Sequence, residues 1–115
     1  MDEIEDILEK IRQFRDERNW MQFHDPKNIA ISIVIEAAEL LEHFQWKNKE
    51  EVEQYVKENK GEIEEEIADI ALYLFELADN LGINLSDAME KKLEKNAKKY
   101  PAEKVRGKHT KYNKL

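Results

Sequence analysis

The chain has 115 residues, 39% of them charged, a net charge of −7, no cysteine, and only 3 glycines and 2 prolines. That length supports one hydrophobic core rather than an elaborate assembly of domains, and the lack of cysteine excludes disulfides and thiolate metal sites. The acidic balance argues against nucleic acid as the principal partner, because phosphate backbones need a basic surface, while scarce glycine and proline favour long helices over a β fold.

The opening MDEIEDILEK is acidic and lacks the basic-then-apolar layout of a signal peptide. Apolar runs throughout are short and broken by carboxylates, so no membrane span and a cytoplasmic location are expected. Ile4, Ile7, Leu8, Ile11 and Phe14 keep helical spacing and predict a first amphipathic helix over about residues 2–18. A loop rich in aromatic residues follows, NWMQFHDPKN, in which Asp25 and Pro26 form a cap and first-turn pair. A second helix is predicted from Lys27 to Trp46. Asn48 with Glu51 three residues on resembles a capping box and opens a short third helix over about residues 49–58. A long fourth begins after Lys60 and stops at Gly82. Ser86 is the expected cap of a fifth, which ends near Tyr100 because a residue before proline avoids helical geometry. The chain reads as a single all-α domain over residues 1–115, with a helical core to residue 98 and a basic, irregular tail over residues 99–115.

Charge is distributed unevenly along these elements. Ten of the 19 lysines and arginines lie from Lys91 onward, and there are none from Asn28 to Trp46 or from Gly61 to Glu90. Within those two gaps, at about 100° per residue, Ser32, Glu36, Glu39 and His43 share one narrow strip of the second helix. Glu62, Glu66, Asp69, Tyr73 and Asn80 line up similarly on the fourth, and most of the remaining surface of both helices is apolar. Each strip either faces water or opens onto an internal cavity. Two features favour the cavity: solvated faces usually mix signs, and helices apolar around most of their circumference are buried on several sides.

If the strips face each other, Glu36, Glu39, Glu66 and Asp69 converge with no local basic residue to neutralise them. Like charges so close raise one another's pKa unless a cation intervenes, and an all-oxygen ligand set suits Mg²⁺ or Mn²⁺. A di-iron bundle would need Glu-x-x-His on two helices, and His43 lies four residues after Glu39 and seven after Glu36.

Glu36-x-x-Glu39, followed 27 residues later by Glu66-x-x-Asp69, resembles the metal motif of the MazG-like all-α NTP pyrophosphohydrolases. The runs RDERNWMQFHDPKN, EAAELLEHFQWK, EEIADIALYL and KLEKNAKKYPAEKVRGKHTKYNKL are most similar to the dCTP pyrophosphatase branch and extend the resemblance over nearly the whole chain. The resemblance implies Mg²⁺-dependent hydrolysis of a nucleoside triphosphate to monophosphate and pyrophosphate, in the service of nucleotide-pool cleaning. It implies metal ligation by Glu36, Glu39, Glu66 and Asp69 and a nucleotide pocket using Trp20, His24, Trp46 and Tyr73. Lys95, Asn96, Lys99 and Arg106 are the implied phosphate-facing counterparts, and Glu39 is the expected base that takes the proton of the attacking water.

Against the family pattern, Ile11 stands where relatives offer a polar residue to the nucleotide, and Ala97, Lys98 and Lys99 replace arginines. The expected substrate is dCTP or a modified cytidine nucleotide; dUTP, a damaged purine nucleotide, or a non-catalytic nucleotide- or partner-binding module are the alternatives. The wide apolar faces predict a homo-oligomer, dimer or tetramer, whose composite sites bring the basic tail of one chain to a neighbour's pocket.

Overall fold

A computed structural model describes residues 3–114, and every regular element among them is helical. The helices are α1 (Glu3–Glu17), α2 (Pro26–Glu42), α3 (Lys49–Glu58), α4 (Lys60–Asn80), α5 (Leu85–Lys99) and the single turn α6 (Ala102–Val105). Short 3-10 segments at Met21–Phe23 and Tyr112–Lys114 complete the set. Among the described residues no helix is long and apolar enough to cross a membrane.

Local signals set most boundaries. The first turn of α1 carries Glu3, Glu5 and Asp6, which complement the positive end of the helix dipole. The helix ends as Asn19 turns to φ +54°, a left-handed conformation that asparagine tolerates. Asp25 accepts from the Asn28 backbone N–H at 2.8 Å and Pro26 fills the first helical position of α2. At α3 the reciprocal box forms: Asn48 accepts from Glu51 N at 2.9 Å, while Glu51 accepts from Asn48 N at 3.2 Å. After α4, Gly82 adopts φ +70°, which a side chain would resist.

Three expectations require correction. α2 stops at Glu42, four residues before Trp46, because His43–Trp46 leave the helix in a turn anchored from outside: the His43 ring meets the Tyr55 hydroxyl on α3, and Phe44 packs edge-on against the Tyr55 ring. α5 is capped by Asn84, whose side chain accepts from Asp87 N at 3.1 Å, and Ser86 lies inside the first turn. The tail is not wholly irregular, since it contains α6 and the 3-10 segment.

The described chain divides after Gly82 into two compact units. In the first unit α2 packs along α4, and α1 and α3 also pack on α4. The centre is Ile29 on α2, 1% exposed, with Ile63 and Ala78 on α4. Arg12 fastens α1 to α4 by donating from two guanidinium nitrogens to both oxygens of Asp79, which holds that carboxyl below its usual range. The second unit comprises α5 and α6, joined through Tyr100 and Pro101.

On α2 the part-buried residues are Ser32, Ile33, Glu36 and Leu40, with His43 just past its end; on α4 they include Glu66, Ile70, Tyr73, Leu77 and Asn80. Of the acids in the two strips, Glu36 and Glu66 are part-buried, whereas Glu39, Glu62 and Asp69 are exposed. Val34, Ile35 and Leu41 on α2 and Ile67 and Leu74 on α4 are also exposed in the single chain. The site thus sits where Glu36 and Glu66 turn toward the α2–α4 contact, while part of the aliphatic surface of both helices turns outward.

Candidate active site

α2 and α4 bring Glu36, Glu39 and Glu66 together: each offers a carboxylate oxygen within 4.8 Å of those of the other two. Glu36 and Glu66 are part-buried, and Glu39 is exposed. One oxygen of Glu36 and one of Glu66 are sealed from solvent with no hydrogen-bond partner. Buried carboxylate oxygens are almost always paired, so two orphans side by side call for a ligand. Burial first, then the neighbouring carboxylates of Glu39, Glu66 and Asp69, push the Glu36 carboxyl up to about 7. A hard divalent cation satisfies all three oxygens at once, and the donor set fits Mg²⁺ or Mn²⁺.

Glu36 and Asp69 also line a cavity of about 500 Å³ in the first unit, within the range of small-molecule sites. Its wall includes Ile7, Ile11 and Phe14 of α1, Trp20 and His24 of the loop, and Leu72 and Tyr73 of α4. Of the residues singled out in the sequence, Trp20, His24, Tyr73, Glu36 and Asp69 thus surround one cavity. Asp69 stands outside the close trio but near enough to act on Glu36. Trp46 does not line this cavity; it is 91% exposed and held at φ +70°. Such a conformation is a strained exception for a bulky residue and persists where the surroundings enforce it. Lys95, Asn96 and Lys99 lie on α5 and Arg106 follows α6, all in the second unit.

Sequence reasoning passed over three charged cavity residues: Glu76, Arg15 and Lys10. Glu76 is the one charged residue among the described positions that is fully buried, at 5% exposure. Its Oε2 receives His24 Nδ1 at 2.7 Å and Asn80 Nδ2 at 3.2 Å, with Arg15 Nη1 at 3.9 Å. Because a carboxylate only accepts, His24 carries its hydrogen on Nδ1. Arg15 donates from the same Nη1 to Asn80 Oδ1 at 3.0 Å, closing the network. The signal was available: the strip on α4 runs 62, 66, 69, 73, 76, 80 in alternating steps of four and three, and Glu76 completes it. Arg15 and Lys10 were unreadable as site residues because their helix meets α4 only in the tertiary fold.

Comparison with known proteins gives one consistent answer. A model of the MazG-like family matches residues 31–115. The chain is 37% identical to dCTP pyrophosphatase 1 of Bos taurus and 35% identical to that of Homo sapiens. Each alignment covers 97% of this chain, with 68% of the bovine and 67% of the human protein. A crystal structure of a pyrophosphatase from Archaeoglobus fulgidus superposes with a TM-score of 0.84 at 48% identity, covering 88% of this chain and 94% of that one.

Proposed function

Because the chain belongs to the MazG-like family, in its dCTP pyrophosphatase branch, and is a nucleoside triphosphate pyrophosphohydrolase, we propose that its substrate is dCTP or a modified cytidine nucleotide and its metal Mg²⁺. The observation that carries the reading is the trio Glu36, Glu39 and Glu66, with two buried carboxylate oxygens lacking partners, of which Glu36 also lines a cavity of about 500 Å³. When bound, Mg²⁺ supplies triphosphate neutralisation and a water acidified enough to attack at neutral pH.

The residues of the chain do the rest. Glu36, Glu39, Glu66 and Asp69 would hold the metal, and Glu39, which like Asp69 is exposed, is the proposed base that takes the proton of the attacking water. Attack on the α-phosphorus breaks the bond to the β-phosphate oxygen, so the products are monophosphate and pyrophosphate. Trp20, His24 and Tyr73 receive the nucleoside. Lys95, Asn96, Lys99 and Arg106 are the proposed phosphate-facing residues.

The working enzyme is a homo-oligomer. The exposed aliphatic faces of α2 and α4 support this, since a row of such side chains invites a second copy. In that assembly Trp46, which its own cavity does not use, serves a neighbouring site.

The test is product analysis on the eight common NTPs and dNTPs plus 5-methyl-dCTP, with and without Mg²⁺. Metal-dependent pyrophosphate release ranked highest for cytidine nucleotides supports the reading. A higher rate on dUTP or a damaged purine nucleotide keeps the reaction and replaces the substrate, and release of orthophosphate overturns the position of attack.

A further inference from the structure

Nothing in the metal chemistry requires Glu76, yet it is the most deeply buried acid in the first unit. It stands on α4 seven residues beyond Asp69, two helical turns or about 10 Å further along the cavity wall. That is the end away from the carboxylate trio, comparable with the reach from the α-phosphate of a nucleotide to the far edge of its base.

Its protein partners are all on one side. His24, Asn80 and Arg15 address Oε2. No donor among the described residues reaches Oε1, and that atom is not among the sealed oxygens. Oε1 is therefore open to the cavity that Glu76 lines. A carboxylate fixed at one oxygen by two hydrogen bonds and an ion pair is a pre-oriented acceptor at the other. Trp20, which packs edge-on to Phe14 with ring centroids 5.7 Å apart, adds a braced planar wall to the same end. An aromatic wall beside a lone acceptor is suited to a flat heterocycle that presents an N–H.

We propose that Glu76 is a specificity-determining residue, whose Oε1 accepts a hydrogen bond from an exocyclic amino group on the base. This selects nucleotides with an amino group at position 4 of a pyrimidine or 6 of a purine over their keto counterparts. The proposal rests on the nucleotide-hydrolase reading above. A keto oxygen in that place would face an acceptor with an acceptor, leaving both unpaired out of bulk water, and a site built to bind a donor rejects analogues lacking it strongly.

The experiment compares kcat/KM within two closely matched pairs, dCTP against dUTP and dATP against dITP, for the wild type and Glu76→Gln. The wild type is expected to favour the amino member of the better-used pair by about 100-fold or more, and Glu76→Gln to shrink that ratio to within about 10-fold, because an amide offers both a donor and an acceptor. The triphosphate of 2-pyrimidinone deoxynucleoside keeps O2 and N3 but lacks the amino group. On the wild-type enzyme alone it should fall well below dCTP, which guards against a variant that folds poorly.

Equal losses on both members of a pair would overturn the proposal and reduce Glu76 to a residue that positions His24. A wild-type preference for the keto base would overturn it outright. Should no triphosphate turn over, calorimetry with dCMP and dUMP separates the two readings: tighter dCMP binding sustains the role of Glu76 while the reaction fails, and equal or absent binding sinks both.

Discussion

Replacing Glu36 with glutamine should make the metal-free protein more stable at alkaline pH, the reverse of what loss of a core-facing side chain usually does. Its carboxyl is pushed from the ordinary 4.5 to about 7, chiefly by burial and then by Glu39 and Glu66. The folded state thus binds this proton more tightly than the unfolded chain. Stability is full below about pH 4.5 and falls as pH rises toward 7, above which the deficit is complete. A group wholly sheltered from water would lose about 3 kcal/mol over that span; Glu36 is only part-buried, and solvent screening reduces this to about 1–2 kcal/mol. For a chain of this size that is about 4–8 °C in Tm.

Thermal unfolding followed by circular dichroism, in EDTA and at one fixed protein concentration, reads it directly. Glu36→Gln should melt higher than wild type at pH 8 and indistinguishably from it at pH 4.5. Adding Mg²⁺ at pH 8 should raise the wild type by about 2.7 kcal/mol when present at 100 times its dissociation constant, and the variant much less. A variant less stable than wild type at pH 8, or equally stabilised at both pH values, would refute the like-charge argument.

Other outcomes follow from the same structure. Glu66→Gln should cut Mg²⁺-dependent pyrophosphate release by about 100-fold or more while leaving the far-ultraviolet spectrum unchanged, as expected when a metal-bound transition state loses a ligand; rates within a few-fold of wild type would remove Glu66 from the site. Ile29→Ala, at the most buried position of α2, should lower stability by about 2–5 kcal/mol in denaturant titration, and a loss below about 1 kcal/mol would mean that α2 is not held through this contact. Light scattering after size-exclusion chromatography should give a mass of at least two chains, shifted toward the monomer by Val34→Lys on the exposed face of α2; a wild-type monomer would refute the oligomer.

The element boundaries show which kind of information lies in the sequence. Asp25–Pro26, the Asn48–Glu51 box and Gly82 act within a few residues of themselves, through one hydrogen bond or one backbone angle, and so could be read directly. At α5 two local caps competed, and Asn84, with Asp87 three residues on, won over Ser86. The end of α2 was illegible because Tyr55, twelve residues after His43, holds the turn.

The site divides along the same line. Residue type and helical period alone determined that Glu36, Glu39, Glu66 and Asp69 form two strips without counter-charges, and similarity of the flanking runs determined the family. Glu76 was equally periodic, but its burial is set by His24 of the loop and Arg15 of α1 packing over it, which the period does not show. Only the tertiary structure decided that the trio closes around two unpaired buried oxygens and that Glu76 is locked by His24, Asn80 and Arg15. Only it showed, too, that the aliphatic faces of α2 and α4 turn outward. The physical reason is range: a helix's period and caps are set by neighbours within one or two turns, whereas the direction in which a strip points is set by what its helix packs against, and here α1, α2 and α3 all pack on α4.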